Sequence, residues 1–102
     1  LNDGIRTAVG VYAIKAKIDR SPNAVWHDGV ANLGYRPTFN GRKFVLETHL
    51  FDFDKNIYGA DLRVALVDFI RPEQKFDGIE GLTTQIKKDV TQSKSILAGK
   101  QY

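Results

Sequence analysis

The spacing of apolar residues changes once along the chain, and this change limits the folds that the sequence can adopt. Beyond residue 77, Leu82, Ile86, Val90 and Leu97 recur at helical intervals. Up to residue 70 the apolar residues stand in short runs typical of β-strands, which cover residues 9–18, 26–35, 44–53 and 62–70. Strands followed by one amphipathic helix predict a mainly β fold, an antiparallel sheet or barrel with a C-terminal helix packed on it.

The helix is predicted to cover Ile79–Leu97. Asp77 and Glu80 have the spacing of a capping box, in which Asp77 is the N-cap and Glu80 reaches back to it. Gly99 suits the end of the helix. We expect the apolar stripe of the helix to lie across the strands. Residues 62–70 are apolar at nearly every position, so we expect them to form a central strand.

Length and composition narrow the class of protein. At 102 residues the chain fits one domain, residues 1–102. It has no cysteine, which excludes disulfides, thiolate metal sites and a cysteine nucleophile. Its two histidines, His27 and His49, do not have the spacing of a zinc site.

Charge and hydropathy indicate the compartment and the partners. No apolar run approaches the roughly 20 residues that span a bilayer, and no cleavable leader is visible, so we expect a cytoplasmic protein without a membrane partner. The net charge is +3, and the positive residues are scattered along the chain. Proteins that bind nucleic acid usually concentrate their positive charge on one face, so this distribution does not favour a nucleic acid as a partner. It is compatible with a phosphate-bearing small molecule or with an ordinary solvated surface.

Glu47 is the residue most open to a chemical role, because it interrupts an otherwise apolar run, FVLETHLFDF. Strand alternation puts Glu47 and His49 on the same face. If that face is buried, burial raises the pKa of a carboxyl and suits it to act as a general base. If the strand lies at an edge, Glu47 faces solvent and pairs with Lys43 or Arg63. His49 either orients Glu47 or forms a hydrogen bond within the sheet, and alternation leaves both choices open.

Two further segments carry groups that suit a ligand. Residues 34–38, GYRPT, combine an aromatic, a cation and a hydroxyl, which suit a planar ligand or a phosphate and equally suit an ordinary turn. Arg71 is followed by Pro72, and it either binds an anion or pairs with Glu73 or Asp77. The phosphate-binding patterns of Walker and Rossmann type are absent. The residues by themselves therefore leave the function open.

Five segments resemble, in order and in spacing, the riboflavin kinase family, especially the C-terminal kinase module of bacterial bifunctional riboflavin kinase/FMN adenylyltransferases. They are GVYA, GVANLGYRPTF, LETHLFDFD, LRV and FIRPEQKFD, which begin at residues 10, 29, 46, 62 and 69. The resemblance implies a six-stranded antiparallel Greek-key barrel with a long helix near the C-terminus. It also implies a riboflavin kinase, which uses ATP with Mg²⁺ to phosphorylate the riboflavin 5′-hydroxyl and gives FMN and ADP.

The resemblance also implies roles for single residues. Glu47 takes the place of the general base that accepts the proton of the riboflavin hydroxyl. Arg71 belongs to the motif that organises the flavin and nucleotide sites, and Phe76 to the segment that closes over the flavin. With them, Tyr35 and Arg36 are the candidates for binding substrate or nucleotide.

The sequence departs from the family pattern in one respect. The Gly-rich segment that covers ATP, and the Pro-Thr-Ala-Asn motif whose Thr and Asn hold the magnesium and phosphates, precede the GVYA strand in the family. The nine residues before Gly10 contain neither. We therefore assign no metal ligand in this chain. We expect a fragment, poorly active alone, of a longer gene product that supplies the first strands and an N-terminal FMN adenylyltransferase domain.

Two other functions fit a barrel of this kind. The first is a non-catalytic binding module for flavin, nucleotide or RNA, and the second is a regulatory or structural domain without flavin affinity. Glu47 within LETHL favours the kinase, because a pure binding module needs no carboxylate base.

Overall fold

The computed structural model describes residues 9–18, 24–53 and 62–100. These form four strands and one helix, and the bounds of the helix are the predicted ones. The turns that the sequence indicates at residues 19–23 and 54–56 lie outside the described residues. The elements are β1 (Gly10–Ile18), β2 (Trp26–Thr38), β3 (Gly41–Leu50), β4 (Leu62–Arg71) and α1 (Ile79–Leu97).

The four strands form one antiparallel sheet in the order β3-β2-β1-β4. The expected class, mainly β with a C-terminal helix, is confirmed, whereas the described strands are four rather than six and are not closed into a barrel. Among these strands β4 lies at an edge, so the prediction of a central strand is wrong. Its apolar run is partly solvated, with Leu66 37% and Phe69 41% exposed. The central place belongs to β1, which is buried over most of its length.

The hairpin of β2 and β3 fixes the register on which the site depends. Its turn is Phe39-Asn40, next to the paired residues Thr38 and Gly41, as the Asn-Gly pair predicts. However, β2 continues through Pro37, which pairs with Arg42. The segment that reads as a loop in the sequence is therefore extended strand, and its side chains alternate between the two faces.

The two faces of the sheet have different roles. One face carries the apolar core, a cluster of Tyr12, Ile14, Ala16, Ala31, Leu33 and Leu50. Alternation directs Val11, Asn32 and Glu47 to the opposite face. The helix α1 lies against β1, β2 and β4, and Ser93 Oγ ties it to the sheet by donating to the carbonyl oxygen of Gly29 at 2.7 Å.

The helix packs by only part of the predicted apolar stripe: Leu97 is buried as expected, and two polar residues are buried beside it. Its buried residues are Asp89, Ser93 and Leu97, whereas Leu82 is 40% and Ile86 47% exposed. Only the C-terminal half of the helix therefore packs closely on the strands.

The predicted capping box is also wrong. Gly78 in extended conformation is the N-cap, and it makes no side-chain cap, so Asp77 stands one residue too early to cap. The carbonyl oxygen of Gly78 instead accepts the Leu82 N–H at 3.3 Å. The C-cap is Ala98, just before the predicted stop at Gly99.

Candidate active site

A cavity of about 900 Å³ lies between the sheet, the loop that follows β4 and the first half of α1. This volume is within the range of small-molecule sites. Polar side chains of the strands and of the loop line part of it, and Phe76, Leu82 and Ile86 form an apolar wall. The residues that line the cavity include Val11, Asn32, Arg36, Glu47, His49, Arg71, Glu73, Phe76, Leu82, Ile86 and Asp89.

Glu47 lies on β3, the edge strand of the described sheet, and its side chain is 57% exposed. The burial that would favour a base is therefore not present. Its partner is Arg36, rather than Lys43 or Arg63: Arg36 Nε and Nη2 donate to Glu47 Oε1 at 2.9 and 2.5 Å. Both bonds end on Oε1, and Oε2 receives no hydrogen bond from the described residues. One oxygen is thus fixed and the other is available to a ligand.

Arg36 also reaches the loop after β4. Its Nη1 donates to Glu73 Oε1 at 3.0 Å and to the carbonyl oxygen of Tyr35 at 2.9 Å. The hydrogen bond to Glu73, followed in size by the one to Glu47, raises the pKa of Arg36 above its ordinary value. A Cβ at Gly34 would clash with the Glu73 carboxylate, so a glycine is needed for this close approach. Arg36 thereby joins β3 to the loop across the cavity mouth.

Arg71 is paired with Asp89 of α1, not with Glu73 or Asp77. Its Nε and Nη2 donate to Asp89 Oδ1 and Oδ2 at 2.9 and 2.7 Å, a bidentate pair that is largely buried. Gln85 Nε2 donates to the same carboxylate at 3.0 Å. This pair holds the helix at a fixed distance from β4 and so sets the width of the cavity.

Asp89 is a cavity-lining residue that the sequence interpretation missed. The predicted apolar series continues through Val90, which leaves Asp89 on another face of the helix. A signal was present, since Leu82, Ile86, Asp89, Ser93 and Leu97 are spaced by three or four residues. A carboxylate at such a position indicates a buried partner.

Of the five predicted site residues, the fold brings four to the cavity: Glu47, Arg36, Arg71 and Phe76. The ring of Phe76 lies 6.0 Å from the Arg71 guanidinium. Tyr35 points to the other face, where its ring lies 4.9 Å from Phe44 and 4.6 Å from the Arg42 guanidinium.

His49 also lines the cavity, and its ring meets that of Phe51 edge-on at 5.9 Å. It makes no hydrogen bond to Glu47. The described residues include no group of three or more histidines and carboxylates that could hold a metal ion. No helix in the described ranges is long and apolar enough to cross a membrane.

Comparison with known proteins supplies the family. A family described as Flavokinase, riboflavin kinase, matches residues 2–97. A bifunctional riboflavin kinase/FMN adenylyltransferase from Haemophilus influenzae is 45% identical over 86 residues, which are 84% of this chain and 27% of that protein. The corresponding protein of Bacillus subtilis is 42% identical over 91 residues, 86% of this chain and 28% of that protein. Human riboflavin kinase is 36% identical over 72 residues, 70% of this chain and 46% of that protein.

A solved structure gives the same fold. It is described as a macrolide-efflux protein from Streptococcus pneumoniae, has a TM-score of 0.70 at 34% identity, and matches 83% of this chain and 27% of its own. Fold and cavity define a mainly β domain with a cavity of small-molecule size and a carboxylate at its edge. Because the family match covers nearly the whole chain, the chain belongs to the riboflavin kinase family. It spans about a quarter of the length of the bacterial relatives just named.

Proposed function

We propose that this chain forms the flavin-binding and base-bearing part of a kinase that transfers the γ-phosphoryl group of ATP to the riboflavin 5′-hydroxyl. The observation that carries the proposal is the position of Glu47 and the pattern of its hydrogen bonds. It stands at the edge of a cavity of suitable size, on a regular strand, with one oxygen held by Arg36 and the other open. A base on a strand is held more rigidly than one on a loop.

In the proposed reaction Glu47 Oε2 accepts the proton of the 5′-hydroxyl as its oxygen attacks the γ-phosphorus. A bond forms between that oxygen and phosphorus. The bond from phosphorus to the bridging oxygen breaks, and ADP leaves with the electron pair. Phosphoryl transfer depends on positioning and charge neutralisation more than on covalent chemistry. Arg36 contributes the positioning, because its two bonds to Oε1 leave Oε2 as the oxygen that faces the substrate.

The apolar side of the cavity suits the flavin ring. Phe76, Leu82 and Ile86 line it, and the two helix residues are nearly half exposed without a ligand. A planar aromatic ring laid on them removes that surface from water, at about 25 cal/mol per Å² of apolar area. Arg71 keeps Phe76 and the helix in place for this contact.

The remaining parts belong to the longer protein that we propose for this chain. There the sheet is completed to the six-stranded barrel. ATP would bind there with Mg²⁺, which would neutralise phosphate charge. The Haemophilus influenzae relative is named for FMN adenylyltransferase activity as well, and we propose such a domain upstream here. The proposed location is the cytoplasm.

The test is FMN formation from riboflavin and ATP by the gene product that carries this chain, beside its Glu47→Gln variant. We expect the variant to bind riboflavin, seen by quenching of flavin fluorescence, and to lose turnover by roughly 10²- to 10⁴-fold. Gln92→Ala, on the exposed outer face of α1, is the matched control and keeps full activity. A wild type that quenches flavin fluorescence and makes no FMN would instead support the binding module.

A further inference from the structure

Asn32 carries a polar atom at the cavity that is left without a partner by the residues that the structure describes. Its Oδ1 is buried and accepts no hydrogen bond from them. Asn32 lies on β2 directly opposite Glu47 of β3, and both residues line the cavity. Folded proteins leave few buried acceptors unpaired, because such a group loses its bonds to water without replacing them. An acceptor retained in this state at a ligand site therefore indicates a donor on the ligand.

The two arginine side chains that line the cavity, which could donate to Asn32, already donate to other groups. Arg36 donates to Glu47 and Glu73, and Arg71 donates to Asp89 and to the carbonyl oxygen of Pro72. Neither guanidinium reaches Asn32 Oδ1. The residue opposite, Glu47, offers only another acceptor when ionised.

Asn32 Oδ1 and Glu47 Oε2 are thus two acceptors without partners among the described residues, on side chains paired across β2 and β3. Side chains directly opposite each other on antiparallel strands have Cβ atoms roughly 5 Å apart, so one ligand segment can reach both. Two adjacent acceptors require two adjacent donors. Neighbouring hydroxyl groups on a polyol chain meet this requirement, whereas a chain with a single terminal hydroxyl leaves one acceptor unpaired.

We infer that Asn32 is a specificity-determining residue, which accepts a hydrogen bond from the hydroxyl next to the one that is phosphorylated. This inference rests on the proposed function, where the reacting group is the 5′-hydroxyl of the ribityl chain and its neighbour is the 4′-hydroxyl. Asn32 then selects a polyol side chain and aligns its terminal oxygen with Glu47. A flavin with a plain hydroxyalkyl side chain is a poor substrate.

The experiment compares two substrates and two variants in the full-length gene product. The substrates are riboflavin and the analogue in which hydrogen replaces the 4′-hydroxyl. The variants are Asn32→Leu, which removes the acceptor and keeps the branched shape of the side chain, and Gln92→Leu, a like change from amide to apolar side chain on the outer face of α1. The measurements are kcat/KM for each substrate, affinity by flavin fluorescence, and the melting temperature of the ligand-free protein.

We expect the wild type and Gln92→Leu to prefer riboflavin by roughly tenfold or more, about the effect of one hydrogen bond. Asn32→Leu should bring that ratio close to one. Its melting temperature should equal or exceed that of the wild type, because the unpaired acceptor is gone. A residue with a purely structural role would behave in the opposite way, with a lower melting temperature and equal losses on both substrates.

Either an unchanged preference in Asn32→Leu or a wild type that treats the two flavins alike would overturn the role of Asn32. The proposed function fails separately. A wild type that binds riboflavin more tightly than the analogue, loses this difference in Asn32→Leu and makes no FMN would keep Asn32 as a hydroxyl-binding residue and refute the kinase.

Discussion

Asp89 of α1 accepts two hydrogen bonds from the Arg71 guanidinium, at 2.9 and 2.7 Å, across the junction of the helix and β4. The two side chains are only 6% and 17% exposed. This pair, together with Ser93 and the carbonyl oxygen of Gly29, determines where the helix stands over the sheet. The shape of the cavity therefore depends on a contact at its inner end rather than at its mouth.

Removing this carboxylate should destabilise the fold. Asp89→Ala leaves a buried, uncompensated guanidinium, so we expect the free energy of unfolding to fall by about 3 kcal/mol. Urea denaturation measures it. Asp68→Ala, at an exposed position of β4, is the control and should change the stability by less than about 0.5 kcal/mol. Similar losses in the two variants would mean that the Arg71 pair is not a structural anchor.

Arg36 should matter for turnover more than for substrate affinity. In Arg36→Gln the Oε1 atom of Glu47 loses its two bonds, while the apolar wall of the cavity is untouched. We expect kcat to fall by roughly 10- to 100-fold, the cost of a misplaced catalytic group, with a smaller change in KM for riboflavin. Arg36→Lys should restore little, because an ammonium lacks the planar fork. Steady-state kinetics of FMN formation separates kcat from KM.

The control for Arg36 is Arg42→Gln. Arg42 undergoes the same chemical change, but its guanidinium lies over the Tyr35 ring, away from the cavity. Its kcat should match the wild type. If Arg36→Gln also keeps the wild-type kcat, the contact with Glu47 has no part in positioning the base.

The loop after β4 can be tested through Gly34. In Gly34→Ala the new methyl group occupies the place of the Glu73 carboxylate, so Glu73 must leave Arg36. We expect KM for riboflavin to rise severalfold, because residues 73–76 line the cavity. The ion pair of Arg36 and Glu73 is partly exposed, with side-chain exposures of 34% and 35%. We therefore expect the free energy of unfolding to fall by less than about 1 kcal/mol.

Glu73→Gln provides the comparison for Gly34→Ala, since it weakens the same contact without adding bulk. The two variants should change KM in the same direction. An unchanged KM in both would show that the loop keeps its place without Arg36.

Local patterns in the sequence predicted the elements, and contacts between distant residues decided the site. The helix has its predicted bounds because one amphipathic period extends over residues 79–97. Asp89 stands 18 residues from Arg71, and Glu73 stands 37 residues from Arg36, and no spacing rule reaches so far. The apolar series predicted for the helix continues through Val90, so this pattern leaves Asp89 off the packed face.

Tyr35 and Arg36 illustrate the same limit. As members of a loop they would approach one ligand together. Because β2 continues through Pro37, neighbouring residues there point to opposite faces, and only Arg36 reaches the cavity. A proline usually ends a strand or lies at its edge, so the extension of β2 through Pro37 could not be predicted from this segment.

The uneven attachment of α1 has a consequence for the rate at which its amide hydrogens exchange with solvent. Residues 89–97 contain all its buried positions, whereas Ile79, Leu82 and Ile86 are 78%, 40% and 47% exposed. Segments with few buried contacts open locally at lower free energy. Protection should therefore rise from the first turn to the last in the free protein. A molecule that fills the cavity slows amide hydrogen exchange mainly in the first two turns of α1. The exchange rates along the helix therefore report whether the cavity is occupied.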